Sequence, residues 1–399
     1  MTTTTAAAAP PATRLHGLDS LRATALGLGI VLHSLAPFVP DLPWLFLDSR
    51  TTPLAGVTSF WIHLFRMVLF MLLAGYFGRM VVHRRGPRSY LRDRALRIAL
   101  PVVAFWPVAV MPLGVLAVVG AQARGQEVPE MTPPETSGVD EVLLLASPGQ
   151  LWFLVVLVQC VLVALAVRAV GRAVLGAERS GRLSRRVGEL LVAPAGLLLA
   201  VVPYAVALLL QGTALGGLHT PPTILPTPAS IAYLGAFAVG WCLHAAPGSL
   251  DRLATAWPAQ LGAAVVLAVV ANLVEVSDAP LVLRALAVAA AGWAWTFGLV
   301  GLFMRFLHRE NPVVRYLADS SYWSYLLHLP VVVAVGLAMA DLAWPIPVKL
   351  AVTWAVTAAV LLLSYDLLVR STWVGRWLNG RRHPRVLLAR RRTAEPASP

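Results

Sequence analysis

Ten residues separate Arg22 from His33 within one apolar stretch, "LDSLRATALGLGIVLHSLAPF", Leu18 to Phe38, made mostly of Leu, Ala, Gly, Ile and Val. A helix turns 100° per residue, so positions eleven apart return to within about 20° of one face, separated by about 16.5 Å of rise. An arginine at the edge of such a helix and a histidine deep within it therefore share one line. Ionisable groups are costly in hydrocarbon, and their presence there argues for a role. A histidine so buried is expected to be neutral, and a neutral imidazole is a usable general base. The bland alternative is an arginine reaching back to the interface and a histidine bonded to a neighbouring helix.

Four other stretches carry polar groups into apolar surroundings. In "FWIHLFRMVLFMLLAGYF", Phe60 to Phe77, His63 and Arg66 are three apart on one helix face. Arg66 is too costly to face lipid and is expected to point into the bundle or a polar cavity. In "SYLRDRALRIALP", Ser89 to Pro101, Arg94 and Arg97 are one turn apart at the mouth of an apolar run. Two planar guanidinium groups presented together suit a phosphate-bearing ligand. Loop bias explains Arg84, Arg85 and Arg88, but Arg97 has already entered the apolar run. In "GQLWFLVVLVQ", Gln150 and Trp152 stand at a run's outer end. In "DSSYWSYLLHLP", Ser321 and His328 are seven apart on one face, with Ser324 and Tyr325 between them. For His328, a hydrogen-bonded packing residue and a catalytic group both remain open. His16, His83, His219, His244, His308 and His383 lie near loops or helix ends and receive no role.

Other chemistries have no residues to support them. There is no phosphate-cradling glycine loop, nucleophile elbow or dinucleotide fingerprint. The only cysteines, Cys160 and Cys242, fall in apolar runs, so neither a disulfide framework nor a metal site is expected.

The elements that must position these residues are membrane helices. The 399 residues are 58% hydrophobic and only 13% charged, where a soluble chain carries nearer a quarter charged residues. The net charge of +13 sits between apolar runs instead of forming one stripe, which excludes a nucleic-acid surface and reads as topology. Ten apolar runs occur, at about 18–38, 57–82, 96–120, 151–170, 189–211, 229–246, 258–276, 281–304, 319–340 and 348–369. Each approaches the length needed to span a bilayer. With the N-terminus inside, the inner loops hold Arg84 to Arg94, Arg168 to Arg186 and Arg305 to Arg315, and a dense run follows from Arg376. The outer loops hold only Arg50 and Arg124, beside Glu127, Glu130, Glu135, Asp140 and Glu141. This bias puts both termini in the cytoplasm and makes the helix count even. Residues 1–17, rich in Thr, Ala and Pro, and 393–399 are expected to be disordered. Residues 18–370 form the membrane domain, and 371–399 a basic cytoplasmic tail.

Together these stretches resemble the acyltransferase 3 family of integral membrane acyltransferases, from about residue 15 to 370. That family's paired Arg and His in the first helix are matched by Arg22 and His33, and its Arg-x-x-Arg motif by Arg94 and Arg97. The "FRMVLFMLLAGYF", "LWFL" and "SYWSYLLHLP" blocks look most like its glucan biosynthesis protein C branch, in the right order and topological position. Val68 stands where that branch usually has Pro, Ala74 where Ser is common, and Gln150 where a His often precedes Leu-Trp-Phe-Leu. These departures touch expected acceptor or cavity positions, so the glucan acceptor is not carried over.

The resemblance implies an all-α enzyme of the bacterial plasma membrane. It would transfer an acyl group from cytoplasmic acyl-CoA, a co-substrate, to a hydroxyl or amine of a glycan, lipid or secreted small molecule. No tightly bound cofactor, metal or nucleic-acid partner is implied. His33, with His328 as second candidate, would be catalytic. Arg22, Arg94 and Arg97 would hold the donor, while His63, Arg66, Gln150, Trp152, Ser321 and Tyr325 would line the acceptor cavity. The rise from Arg22 to His33 is comparable to an extended pantetheine arm. A carrier or flippase is the competing class, but the paired broken helices and inverted repeats common in carriers are not evident.

Overall fold

The computed structural model describes residues 15–42, 44–125, 147–307 and 309–386. Every regular element among them is helical. Of the disorder expected at 1–17 and 393–399, residues 1–14 and 393–399 fall outside the described residues, as does most of the acidic outer loop, whereas His16 and Gly17 already belong to the first helix.

The chain enters through α1 (His16–Leu35) and returns through α2 (Pro53–Arg85). Thr52 caps α2 by accepting from the Leu54 amide, and Pro53 occupies the first position, where no N–H is needed. Gly86, at φ 80°, ends it. Next, α3 (Pro87–Arg94), a π-helical turn (Ala95–Ala99), α4 (Leu100–Ala109) and α5 (Met111–Ala123) make one interrupted span. A tight turn at Gly149–Leu151 leads into α6 (Trp152–Leu175).

The apolar run expected at 189–211 is not one helix. It divides into the end of α7 (Ala177–Leu191) and α8 (Gly196–Gln211), which meet at 99° around Pro194. The first of these carries exposed Arg179, Arg182, Arg185 and Arg186 and cannot cross a bilayer. The remaining spans are α9 (Pro228–Ala245), α10 (Ser249–Glu275), α11 (Leu281–Phe306), α12 (Pro312–Met339) and α13 (Ile346–Ser364). After a second π turn, a short α14 (Trp373–Asn379) follows. Nine helices among the described residues are long and apolar enough to cross, or ten when the bent pair counts as one span.

Small residues set the helix spacing where a hydrophobic driving force is weak. A Cβ on Gly75 would strike the Phe237 carbonyl of α9, and one on Gly240 would strike the Leu72 carbonyl of α2. The two backbones therefore touch, which locks the face of α2 that carries His63 and Arg66. Centrally placed α11 is the most enclosed span.

Both described ends of the chain meet at one end of the bundle. Arg22 of α1 donates to the Ala318 carbonyl at 3.4 Å, and Asn379 of α14 donates to the Asp319 carbonyl at 2.9 Å. The arginine-rich connections gather there too, as the inner-loop bias expects. Residues 373–386, within the stretch read as a basic tail, fold back onto the body. His383 donates its amide to the Arg370 carbonyl, and the Val386 amide donates to the Asp366 carboxylate.

Candidate active site

An elongated cavity of about 600 Å³ runs among α1, α2, α6 and α12, with the first π turn and α14 at its arginine-rich end. Each site residue expected from the sequence lines it.

At the arginine-rich end stand Arg22, Arg94 and Arg97. All three side chains are roughly a third exposed and are tied to carboxylates. Arg22 lies 3.4 Å from Asp19, while Asp93 takes both Arg94 at 2.8 Å and Arg97 at 3.1 Å. The π turn at 95–99 explains how the arginine pair is presented. Its widened hydrogen-bond ladder lets the Leu96 and Arg97 carbonyls accept from side chains instead, from the Trp377 indole at 2.7 Å and the Tyr322 hydroxyl at 2.8 Å. The chain just past α14 closes this mouth, for a Cβ on Gly380 would overlap the Arg97 guanidinium. Asn379 also lines the cavity. His383 stands 3.7 Å from Asp319. Burial, with Arg381, Arg370 and Arg315, holds its imidazole below the ordinary histidine range against the pull of Asp319.

Deeper in, the groups have fewer partners. Arg66 is 8% exposed, lies beside Tyr233 and Tyr325, and has no ion pair among the described residues. Its Nε has no hydrogen-bond partner. It reaches α1 where Gly29 leaves room, since a Cβ there would overlap the guanidinium. Across the cavity, the rings of His33 and His328 are 5.3 Å apart. His328 Nδ1 lies 2.8 Å from the Tyr325 carbonyl. A carbonyl only accepts, so Nδ1 carries the proton and Nε2 is the free nitrogen of the neutral ring. His33 makes no such tie among the described residues and is held by stacking, with Trp44 5.9 Å away and only 12° from parallel. Ser321, between the histidines and the arginines, donates to the Ala318 carbonyl and keeps its oxygen as an acceptor.

Toward the other end, Gln150 is oriented by both donors of its amide, to the Ala109 and Leu326 carbonyls at 2.9 Å each. That geometry leaves Gln150 Oε1 buried without a partner, an acceptor for an incoming hydroxyl. The Tyr325 hydroxyl donates to the Gln150 carbonyl at 2.6 Å, so it braces the wall. Trp152 packs on Tyr233 at 5.5 Å. His63 spends Nε2 on the Leu218 carbonyl at 3.0 Å, tying the 212–227 loop to α2. That bond gives it a structural task beside its place in the cavity wall. Of the three departures from the family pattern, Ala74 and Gln150 line the cavity, whereas Val68 is buried in the core away from it.

Sequence reading missed Trp44 and the device that holds it. Trp44 sits in the loop between α1 and α2, with no helical period to mark its face. That loop is clamped by Lys349, the only lysine, whose Nζ lies 2.7 Å from both oxygens of Asp48 and 3.1 Å from the Ala340 carbonyl. Arg124 adds a bond to the Leu47 carbonyl.

A multi-pass helical membrane protein whose bundle encloses a cavity with charged and polar groups in an apolar wall is the class that these features define. Within that class, a family model described as an acyltransferase domain matches residues 15–369, and the chain belongs to this family, acyltransferase 3. Similar curated proteins named Glucans biosynthesis protein C occur in Salmonella paratyphi B and Salmonella heidelberg. Each is 32% identical over 154 residues, a match that covers 37% of this chain and 37% of the relative. The match therefore spans little more than a third of those relatives' length. No solved structure matches the chain.

Proposed function

We propose that the protein moves an acyl group from cytoplasmic acyl-CoA to a hydroxyl or amine presented from the other side of a bacterial plasma membrane. The acceptor is a glycan, lipid or secreted small molecule. The observation that carries this reading is the continuity of one cavity, from three arginines at its mouth to paired histidines in its interior. Arginines suit the phosphates of CoA because their planar forks bind oxyanions bidentately. Asp93 and Asp19 hold those guanidinium groups until a phosphate competes for them.

In the reaction, the acceptor oxygen attacks the thioester carbonyl as His33 takes its proton. The tetrahedral oxyanion then collapses, the carbon–sulfur bond breaks, and the leaving thiolate takes the proton from the His33 imidazolium to become the free CoA thiol. The products are the acylated acceptor and CoA, with His33 returned to its neutral form. Arg66, a charge without a carboxylate, balances the oxyanion. His328, with Nε2 free beside His33, is the second proton acceptor, and Gln150 Oε1 receives a hydroxyl of the acceptor. Acyl-CoA is a co-substrate here, not a resident cofactor.

The test is saturable binding of a labelled short-chain acyl-CoA to purified protein. Competition by free CoA and loss in Arg97→Ala are expected. Absence of saturable binding by a folded sample would overturn the reading.

A further inference from the structure

A second, much smaller cavity adjoins the first at His33. Its volume is about 10 Å³, and its wall includes His33, Ser34, Trp44, Asp48, Lys349 and Thr353. His33 and Trp44 line both cavities and so form the partition between them. A space of that size admits a single water when two or more polar groups face it.

A neutral imidazole that takes a proton on one nitrogen must carry a hydrogen on the other, and the partner of that hydrogen fixes the tautomer. For His328 the Tyr325 carbonyl is that partner. No described residue accepts from His33, which is held by its ring contacts. The wall of the small cavity has oxygens to spare, because its own hydrogens are committed elsewhere. Lys349 Nζ spends all three on the two Asp48 oxygens and the Ala340 carbonyl. Ser34 donates to the Val31 carbonyl and Thr353 to the Lys349 carbonyl, each at 2.8 Å. Asp48 Oδ1 also accepts from the Arg50 amide, which leaves Oδ2 able to take one more donor. The Asp48 and Lys349 side chains are only 2% and 1% exposed. Such a pair is a costly way to pin a loop, since apolar residues of similar volume often stabilise as well or better. Its place beside the base calls for a second use.

We propose that one water in this cavity accepts from a His33 ring N–H and donates to Asp48 Oδ2, which makes Asp48 a positioning residue for the base. The Ser34 and Thr353 oxygens stand in the same wall for the second hydrogen of the water. A bridging water is nearly as good as a direct hydrogen bond. It holds His33 in one tautomer, with the other nitrogen bare for the acceptor proton, and turns its oxygen toward the imidazolium as charge develops. Lys349 keeps the carboxylate ionised, so the proton stays on the imidazole. The inference rests on reading His33 as the base, but the first of its two tests does not.

That test is the nitrogen-15 spectrum of histidine-labelled full-length protein, with the His33 signals assigned by their loss in His33→Gln. One tautomer with a hydrogen-bonded N–H is expected, and Asp48→Leu with Lys349→Met should turn it into a mixture of two. A mixture in the wild type would overturn the link, whether or not the protein transfers acyl groups. The second test is turnover in two variants that remove the ion pair alike. Asp48→Asn with Lys349→Met keeps an oxygen that can accept from the water, whereas Asp48→Leu with Lys349→Met removes it. The leucine variant is expected to show a kcat about tenfold below that of the asparagine variant, with KM unchanged. Equal turnover in the two folded proteins would reduce the pair to a clamp on the loop and overturn the proposal. Should the leucine variant fail to fold, the wild-type spectrum decides by itself.

Discussion

The two ends of the cavity handle charge in opposite ways. At the arginine-rich mouth, Arg22, Arg94 and Arg97 are partly exposed and already hold Asp19 and Asp93. Such pairs are worth little individually and are readily exchanged for a better anion. In the interior, Arg66, His33 and His328 have almost no polar partners and are positioned by packing, by a glycine gap and by a stacked indole. Groups held that way need not reorganise when charge appears, which is where electrostatic catalysis is strongest. In the proposed reaction, recognition would belong to exchangeable contacts, and chemistry to unexchangeable ones.

The sharpest way to break this contrast is through the clamp behind the histidines. Asp48→Asn leaves Lys349 buried without a counter-charge, and such losses cost about 3–5 kcal/mol. A large fall in thermal stability and in activity is expected, and Asp48→Asn with Lys349→Met should recover much of the stability; a melting series checks both. Next in size is Arg66→Gln. Losing one preorganised oxyanion donor costs about 2.7–4 kcal/mol in rate, so kcat should fall by a few hundred-fold with CoA affinity retained. A matching rise in KM would place Arg66 in binding instead. At the mouth, Arg97→Lys should weaken CoA binding by about tenfold or more, the value of roughly 1.5–3 kcal/mol for a charged hydrogen bond. Calorimetric titration measures this, and wild-type affinity would remove Arg97 from the donor site. The smallest effect belongs to the solvent: breaking the Arg182–Glu178 pair on α7 should change stability by about 0.3–0.5 kcal/mol or less, within the error of a melting curve.

How much of this was legible depended on periodicity. The shared face of Arg22 and His33 follows from helix geometry, as does the spacing of Ser321 and His328, and both pairs line the cavity. Trp44 was hidden because a short loop has no period, and its position depends on distant partners such as the Lys349–Asp48 pair, 301 residues apart in sequence. The π turn that presents Arg94 and Arg97 depends on which carbonyl each amide chooses, a tertiary outcome decided by Trp377 and Tyr322. The break near Pro194 did leave signs, a proline and a run of spaced arginines, but apolarity on both sides concealed the turn. His83 and His244 looked idle at helix ends because their partners come from different helices.

The most direct measurement is turnover by His33→Gln. Glutamine keeps a hydrogen-bonding amide of similar reach but cannot take a proton. If His33 is the base, a folded His33→Gln protein that still binds CoA should lose about a hundred- to ten-thousand-fold in acyl transfer, the usual worth of general-base catalysis. Turnover close to wild type in that folded variant would contradict the assignment, reduce His33 to a packing residue and pass the role to His328.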